Sequence, residues 1–456
     1  MAENPGEIVH PAPKAIAHTE YHVPLLQPIN RTVLLTGPSY CNILIDMKQG
    51  ETDRSRILDA KLERKLAGTG AVLVEGTKWC GKTTTCEEQA STAAGLKADD
   101  TERLQAILDS GRGRVEFPDG SFTVSRPLII SSDTHLVCSP RTVVRLADGS
   151  NCPILRNRGS EPGGSDRNIT VEGGVWDGNN VGQKRGPCRL PKTAGGGDIN
   201  QLTVFAGITN LTLRGMTLKD PDCYCIELTD IVGFIVEDIV FDCNDRTPNQ
   251  DGLHIDGYAR DGYIRNLRGH TNDDLVALNS DEGNWRSPSN DIENITIDGI
   301  YGGDDGYTAV RLLSRNARVN NIVIRNVYGR YKYNGVSFTH WADEDHVPGM
   351  GHFDNIVIEN MFASSCLRDP EKWQRHPWGM VYFQSKVESV GHVTVRNLRR
   401  VDPPDVTNLT HTVTICEGAK IDTLILDNVE QSLPVDKPLI YKEPGVVIRR
   451  MKSRLD

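Results

Sequence analysis

Three aspartates near the middle of the chain have a spacing that could bring their carboxyl groups together. Asp251 stands in "NQDGLHID", and Asp273 and Asp274 follow one after the other, 22 residues further on, in "NDDLVALNS". If these segments lie in consecutive turns of a stacked strand structure, Asp251 lies against the pair, because stacked strands are ~4.8 Å apart. Carboxyl groups this close cannot all ionise freely, so one should hold a proton at neutral pH. A protonated acid beside ionised carboxylates is the combination that cleavage of a glycosidic bond requires.

Such stacking needs a repeated strand, and one short sequence motif recurs from about residue 165 onward. The copies are RNITVEGG (167–174), TNLTLRGM (209–216), GFIVEDIV (233–240), ENITIDGI (293–300), NNIVIRNV (320–327), DNIVIENM (354–361), GHVTVRNL (391–398) and KIDTLILDNV (420–429). Each copy alternates β-branched residues and ends in Asn, Asp or Gly, which is typical of a short strand followed by a turn. A repeat of this length indicates stacked units that cannot bury their apolar faces alone.

The repeats predict an all-β fold, a single-stranded right-handed parallel β-helix. No helical pattern of about 10–15 residues separates the strands, which argues against alternating strand–helix units. The regular leucine motif of leucine-rich repeats is absent. Asn at a coil corner is expected to hydrogen-bond its copies above and below. A short amphipathic helix at about 100–109 would cap the open end of the core. We therefore expect an extension over residues 1–95 and a catalytic β-helix over 96–456.

The N-terminal extension contains a separate motif, "VEGTKWCGKTTT". Gly76, Gly81, Lys82 and Thr83 have the spacing of a phosphate-binding P-loop, which needs a strand before it and a helix after it. Residues of about 47–90 resemble the N-terminal fragment of bacterial AAA-type ATPases. The β-helix cap follows almost at once, which leaves no room for the rest of a nucleotide-binding sheet. We expect an orphaned P-loop-like segment, in an extension that could be partly disordered, and no bound nucleotide or other cofactor.

Composition limits the partners of the chain. A net charge of −10 argues against nucleic acid and anionic membranes. No apolar run reaches the ~20 residues that span a bilayer. The first 25 residues lack a basic start followed by an apolar stretch, which predicts no signal peptide. Eleven scattered cysteines favour reduced thiols and a cytoplasmic setting, although secretion by another route stays open. The sequence gives no indication of an oligomeric state.

Over residues of about 97–440 the chain resembles glycoside hydrolase family 28, the polygalacturonase-like enzymes with a pectin-lyase-like β-helix. The family's Asn-Thr-Asp is NQD here (249–251), and its Gly-Asp-Asp is NDD (272–274). The resemblance implies that Asp273 is the general acid. It implies that Asp251 and Asp274 hold and deprotonate the attacking water, so that a glycan of plant or microbial origin is hydrolysed with inversion. No metal is required.

Two departures from the family pattern leave the sugar open. Tyr307 stands where the family has a histidine, and Ser337 and Thr339 stand where it has arginine and lysine. Those basic residues grip a galacturonate carboxylate in the family, so a neutral sugar or a differently held acid fits equally well. Arg311 and His340 lie close by in sequence and could compensate.

Further residues are candidates for contact with a carbohydrate. Trp285 and Trp341 follow the expected catalytic coils, where aromatic faces suit sugar stacking. Glu227 lies 24 residues before Asp251 and could extend the carboxylate column by one coil. The full set of expected substrate-binding residues is Asn249, Glu227, His254, Tyr307, Arg311, His340, Trp285 and Trp341.

Two other functions suit the same fold, because a fold alone does not fix chemistry. A polysaccharide lyase or epimerase could hold calcium at the acidic cluster and use Arg311 or Lys332 as its base. A non-catalytic, tailspike-like or glycan-binding β-helix is the other alternative. The linkage cleaved and the choice between attack at a chain end and attack within the chain are not indicated by the sequence.

Overall fold

The computed structural model describes residues 31–36, 43–47, 73–75, 99–111, 113–184, 201–281, 286, 289–340, 350–366, 378–406 and 411–454. The chain divides into two units, Met1–Lys97 and Ala98–Asp456. The predicted P-loop, together with Trp285 and Trp341, lies outside the described residues.

The described part of the first unit is a three-stranded antiparallel sheet. Its strands are β1 (Arg31–Thr36), β2 (Ile43–Met47) and β3 (Leu73–Glu75), in the order β2-β1-β3. Strand β3 is the strand predicted to lead into the P-loop, and it pairs antiparallel with β1. Within the described ranges this sheet therefore differs from the parallel sheet that a nucleotide-binding domain of this kind requires.

The second unit begins with the helix α1 (Thr101–Asp109), which covers the start of the core. Leu104 and Leu108 lie on one face of α1 and are buried in the hydrophobic core. This confirms the capping helix predicted at about 100–109. Among the helices of the described ranges, none has the length and apolar character needed to cross a membrane.

The remainder of the second unit consists of strands, with short 3-10 helices at Arg158–Ser160 and Asn180–Gly182. The strands are β4 (Gly113–Phe117), β5 (Gly120–Val124), β6 (Leu128–Ile130), β7 (Thr134–Leu146), β8 (Leu155–Asn157), β9 (Asp166–Asp177), β10 (Thr203–Arg214), β11 (Thr217–Lys219), β12 (Ile226–Glu237), β13 (Val240–Asp242), β14 (Leu253–Asp256), β15 (Ala259–His270), β16 (Asp274–Asn279), β17 (Ile292–Tyr301), β18 (Thr308–Leu313), β19 (Arg318–Tyr331), β20 (Val336–Thr339), β21 (His352–Ser365), β22 (Gly379–Phe383), β23 (Ser389–Val401), β24 (His411–Ile415), β25 (Lys420–Ser432), β26 (Ile440–Lys442) and β27 (Val447–Arg454).

Strands inside this unit pair in parallel with strands one coil before and one coil after them, and the strands at its two ends pair on one side, which confirms the predicted parallel β-helix. One column of strands matters most here, and we call it the site sheet. It consists of β6, β8, the first residues of β10 and β12, and then β14, β16, β18, β20, β22, β24 and β26. Its register stacks fully buried apolar side chains from coil to coil, which are Leu253, Val276, Val310, Val336, Val381 and Val413.

Asparagine ladders hold the corners between coils. The side-chain amide of Asn355 donates to Asn321 at 3.1 Å, that of Asn321 donates to Asn294 at 3.0 Å, and that of Asn294 donates to Asp261 at 2.9 Å. All four residues have positive φ, a conformation that Asn and Asp tolerate better than other residues with a side chain. A second ladder comprises Asn428, Asn397, Asn360, Asn326 and Asp298. The recurring Asn of the repeats therefore has the predicted role.

Candidate active site

The three aspartates meet at the corner of the coil that leads into the site sheet. Asp251 lies just before β14, Asp273 lies just before β16, and Asp274 is the first residue of β16. The backbone N–H of Gly252 donates to the carbonyl of Asp274 at 2.9 Å, which places Asp251 one coil from the pair. One carboxylate oxygen from each aspartate lies within 4.8 Å of the others. Asp251 and Asp274 are buried, and Asp273 is half-buried, so Asp273 is the most accessible of the three.

His254 supports Asp251 from below the surface of the site. Its Nδ1 lies 2.6 Å from Oδ2 of Asp251, and its Nε2 lies 3.0 Å from Oδ1 of Asp256. The imidazole stacks on Tyr224 at a centroid distance of 3.7 Å. Burial acts to lower the pKa of His254, but the carboxylates of Asp256 and Asp251 outweigh it and raise that pKa well above its ordinary value. The ring is therefore an imidazolium that donates to both carboxylates.

Glu227 lies beside this pair but does not reach the site surface. In the pairing of β12 with β14 it is level with His254, not with Asp251 as its spacing suggested. Its side chain is fully buried, in place of the predicted contact with substrate. Burial, followed by repulsion from Asp256, raises the pKa of Glu227 well above its ordinary value. The direction of this shift favours the protonated, neutral form of the Glu227 carboxyl group.

Asp256 and Tyr224 also belong to the buried group around His254, and the sequence did not predict either of them. The sequence "HID" held a signal for Asp256, because residues two apart on a strand share one face. His254 and Asp256 both belong to the face that does not carry the apolar stack of Leu253 and Ile255. That this outer face is itself buried could not be seen from the strand alone.

Arg311 is brought to the aspartates, as its place in the sequence suggested. Its Nη1 lies 3.5 Å from Oδ2 of Asp274, and its Nε donates to Oγ1 of Thr339 at 3.2 Å. Arg311 is on β18 and Thr339 is on β20, so the guanidinium reaches across one coil. It thus supplies positive charge next to the strand where Ser337 and Thr339 replace basic residues.

Tyr307 lies beside Asp273. It directly precedes Thr308, which pairs in register with Asp274. Burial raises the pKa of Tyr307 above its ordinary value, and the nearby Asp273 carboxyl group adds to this shift. The phenol therefore stays neutral and keeps a proton that it can donate in a hydrogen bond.

The other predicted contacts have different surroundings. His340 is buried, and its Nε2 donates to the backbone carbonyl of Ser385 at 2.7 Å. Asn249 is half-buried at positive φ in the turn before Asp251. Gln250 fixes that turn, because its Nε2 donates to the carbonyl of Pro221 at 2.9 Å. Asn249 thus remains a candidate for substrate contact, whereas the hydrogen bond of His340 holds two parts of the scaffold together.

A family model described as glycosyl hydrolases family 28 matches residues 163–362, a region that contains all three aspartates. A polygalacturonase of Persea americana is 24% identical over 240 residues, which cover 50% of this chain and 48% of that protein. The chain thus spans about half the length of this relative.

Solved structures show a similar fold at low sequence identity. The pre-mature gene product 12 of bacteriophage phi29 has a TM-score of 0.54 at 16% identity, covering 74% of this chain and 44% of that one. A family 28 exopolygalacturonase of Yersinia enterocolitica has a TM-score of 0.45 at 15% identity, covering 77% and 75%. The first of these indicates a shared fold and nothing about activity. The part of the chain that carries the three aspartates is therefore similar in sequence to glycosyl hydrolases family 28 and forms a pectin-lyase-like parallel β-helix.

Proposed function

We propose that this protein is a glycoside hydrolase that cleaves glycosidic bonds of an oligo- or polysaccharide. The observation that carries the proposal is the meeting of Asp251, Asp273 and Asp274, with oxygens within 4.8 Å, inside the region that matches family 28. Two carboxyl groups in different protonation states are the minimum that such a reaction needs, and a third can help to hold the water.

The surroundings of the three carboxyl groups suggest a separate role for each. Asp273 is the most accessible and has neutral Tyr307 as its neighbour, so it is suited to hold a proton and donate it to the leaving oxygen. Asp251 and Asp274 each face a cation, His254 and Arg311 respectively. These cations favour the ionised carboxylates, which can hold a water molecule and accept its proton as it attacks the anomeric carbon.

We expect the reaction to invert the anomeric configuration. Inverting enzymes commonly hold their two carboxyl groups roughly 6.5–9.5 Å apart, and retaining enzymes roughly 5–5.5 Å apart. Here one oxygen of each carboxyl group lies within 4.8 Å of the others, which is a bound on single atoms rather than a separation between carboxyl groups. A pair of ionised carboxylates, each with one cationic neighbour, suits the binding of water better than direct attack by either one. A retained product would instead indicate attack by Asp251 or Asp274.

A uronate lyase or epimerase is the second candidate. The same three aspartates form a cluster of oxygen ligands that could hold calcium, and Arg311 lies next to Asp274. Lys332, the other base considered, has its Nζ 3.0 Å from Oδ1 of Asp305. A lyase of this kind would form an unsaturated product that absorbs ultraviolet light, and its activity would be lost with a chelator.

The test is hydrolysis of a panel of oligosaccharides by the full chain and by Asp273→Asn. Neutral plant and microbial oligosaccharides, fructans and galacturonan oligomers would be followed by release of reducing ends and by ultraviolet absorption. We expect reducing ends from at least one substrate, a loss in the variant, and no new absorption. Binding of a sugar without any product would leave a glycan-binding module and would contradict the hydrolase.

A further inference from the structure

In the next three coils of the β-helix, aromatic residues occupy the position that Asp273 occupies in its own coil. In the site sheet Val276 pairs with Val310, Val310 with Val336, and Val336 with Val381. The residues three places before these valines are therefore level with one another. They are Asp273, Tyr307, Tyr333 and Trp378. We call the last three the aromatic strip.

The rings of the aromatic strip touch one another and keep part of their surface open. The centroids of Tyr307 and Tyr333 are 4.3 Å apart with the rings tilted, and those of Tyr333 and Trp378 are 5.4 Å apart with edge-on packing. The backbone N–H of Tyr333 donates to the carbonyl of Tyr307 at 3.1 Å, which fixes the step between the first two. All three residues are half-buried. The strip is thus a continuous apolar surface that starts beside Asp273.

Three coil steps of ~4.8 Å separate Asp273 from Trp378, a length of about 14 Å along the β-helix axis. That length accommodates several sugar units of a chain lying parallel to the axis. If the scissile bond of a glycan lies at Asp273, the sugar units on one side of that bond lie over the strip.

The charges around the strip disfavour an acidic sugar. The strip itself carries no charge, and three carboxyl groups lie at one end of it. Arg311, the cation beside the aspartates, already contacts Asp274 and Thr339. Lys332, the neighbour of Tyr333 in sequence, pairs with Asp305. A uronate on the strip would therefore approach these carboxyl groups, and the two cations just named each already contact an acid.

We infer that the aromatic strip is a row of subsites that binds uncharged sugar units by stacking their C–H faces on Tyr307, Tyr333 and Trp378. Aromatic side chains provide large contact areas with a defined geometry, and they are common in the walls of ligand sites. The inference rests on the proposed function for the position of the cleaved bond. It adds a substrate class, which is a neutral glycan or a neutral segment of one.

The test measures binding separately from turnover. Full-length Asp273→Asn would be titrated calorimetrically with two galacturonan oligomers of equal length, one fully methyl-esterified and one with free carboxylates, and with the neutral members of the oligosaccharide panel. The two galacturonan ligands share one backbone and differ mainly in charge. We expect the esterified oligomer, or another neutral oligosaccharide, to bind at least about tenfold more tightly than the acid.

Substitutions on the strip then locate the binding. In the Asp273→Asn background, Tyr333→Ala and Trp378→Ala are each expected to weaken binding of the neutral ligand about tenfold, as for a side chain central to an interface. Trp378→Phe keeps a ring and should retain most of the affinity. Tyr301→Ala is the matched control, because Tyr301 is an exposed tyrosine that stacks on Tyr328, away from the site sheet. Thermal unfolding of each variant would show that the fold is intact.

The outcomes separate this inference from the proposed function. Three results would each overturn the inference about the strip. They are equal or tighter binding of the free acid, affinity unchanged by Tyr333→Ala and Trp378→Ala, and absence of binding by every oligosaccharide. Hydrolysis with KM unchanged when Tyr333→Ala and Trp378→Ala are introduced into the wild-type background would overturn the inference about the strip and leave the proposed hydrolase activity standing. Binding that depends on the strip, with no product from the wild type, would support the inferred sugar subsites and contradict the proposed hydrolase activity.

Discussion

Nδ1 of His254 lies 2.6 Å from Oδ2 of Asp251, and both side chains are buried. On its other side the same ring faces Asp256 at 3.0 Å, so a cation stands between two carboxylates with little access to water. Breaking a buried ion pair by removing one partner is strongly unfavourable, because the remaining charge stays uncompensated. The charge state of Asp251 is thus tied to His254.

We predict that His254→Gln lowers both activity and stability. The variant leaves the ionised Asp251 without its cation, so kcat should fall about 100-fold, as for loss of a general base, and the free energy of unfolding should fall by about 3–5 kcal/mol. The measurements are kcat/KM against pH and denaturant unfolding.

The pH profile distinguishes a positioning role from a purely structural one. If His254 acts on the reacting groups, the acidic limb of the profile moves in the variant. A fall in stability with an unmoved acidic limb would mean that His254 contributes to folding alone.

Glu227 gives a prediction for stability against pH. Its pKa is raised in the folded protein from an ordinary value of 4.5, so the folded state holds a proton that the unfolded chain releases above that value. The stability contributed by this proton is complete below pH 4.5 and is lost as pH rises toward the folded pKa, by up to about 1.4 kcal/mol per pH unit. Glu227→Gln is neutral at every pH. We expect the variant to be more stable than the wild type at pH 8 and to lose that advantage at pH 4.5.

Urea unfolding of wild type and Glu227→Gln at several pH values checks this expectation. The difference between the two proteins removes the contribution of the other titrating groups. A difference that does not change with pH would show that Glu227 is ionised in the folded protein.

The assignment of Asp273 as the acid predicts an effect that depends on the leaving group. Asp273→Asn should lower kcat on unactivated glycosides by about 10²–10⁴-fold. An aryl glycoside with an acidic phenol as leaving group needs little protonation, so the variant should retain much of its activity on that substrate. Asp251→Asn is the matched comparison and should be impaired on both substrates. Equal losses of Asp273→Asn on both substrates would contradict its role as the acid.

Arg311 should act mainly through its charge. Arg311→Met removes the cation beside Asp274, and we expect about a tenfold loss in kcat/KM with the acidic limb of the pH profile moved to higher pH. Thr339→Val removes only the hydrogen bond to Nε of Arg311 and should have a much smaller effect. If the two variants were equally impaired, the position of the side chain rather than its charge would be the important property.

The sequence predicted the β-helix because its signal is periodic. The repeats share one alternation and most carry a corner asparagine, so errors in one coil do not affect the next. The meeting of Asp251 with Asp273 followed from a coil of nearly constant length, since the step from Leu253 to Val276 is close to their 22-residue spacing.

Residues in coils of other lengths could not be aligned by counting. The step from Val336 to Val381 is far longer than that from Leu253 to Val276, so one spacing cannot align both coils. The alignment of Trp378 with Tyr333 is therefore visible only in the structure. Glu227 shows the same limit on a smaller scale. It lies one coil before Asp251, as its spacing predicted, but it pairs with His254, three residues after Asp251.

The anomeric configuration of the first product, followed by proton NMR during hydrolysis by the wild type, tests the central claim most directly. Asp251 and Asp274 as holders of water, with Asp273 as the acid, predict that the product appears with inverted configuration and equilibrates only afterwards. Asp273→Asn should give no such signal from the same unactivated substrate. A product that first appears with retained configuration, or an unsaturated product, would contradict the account.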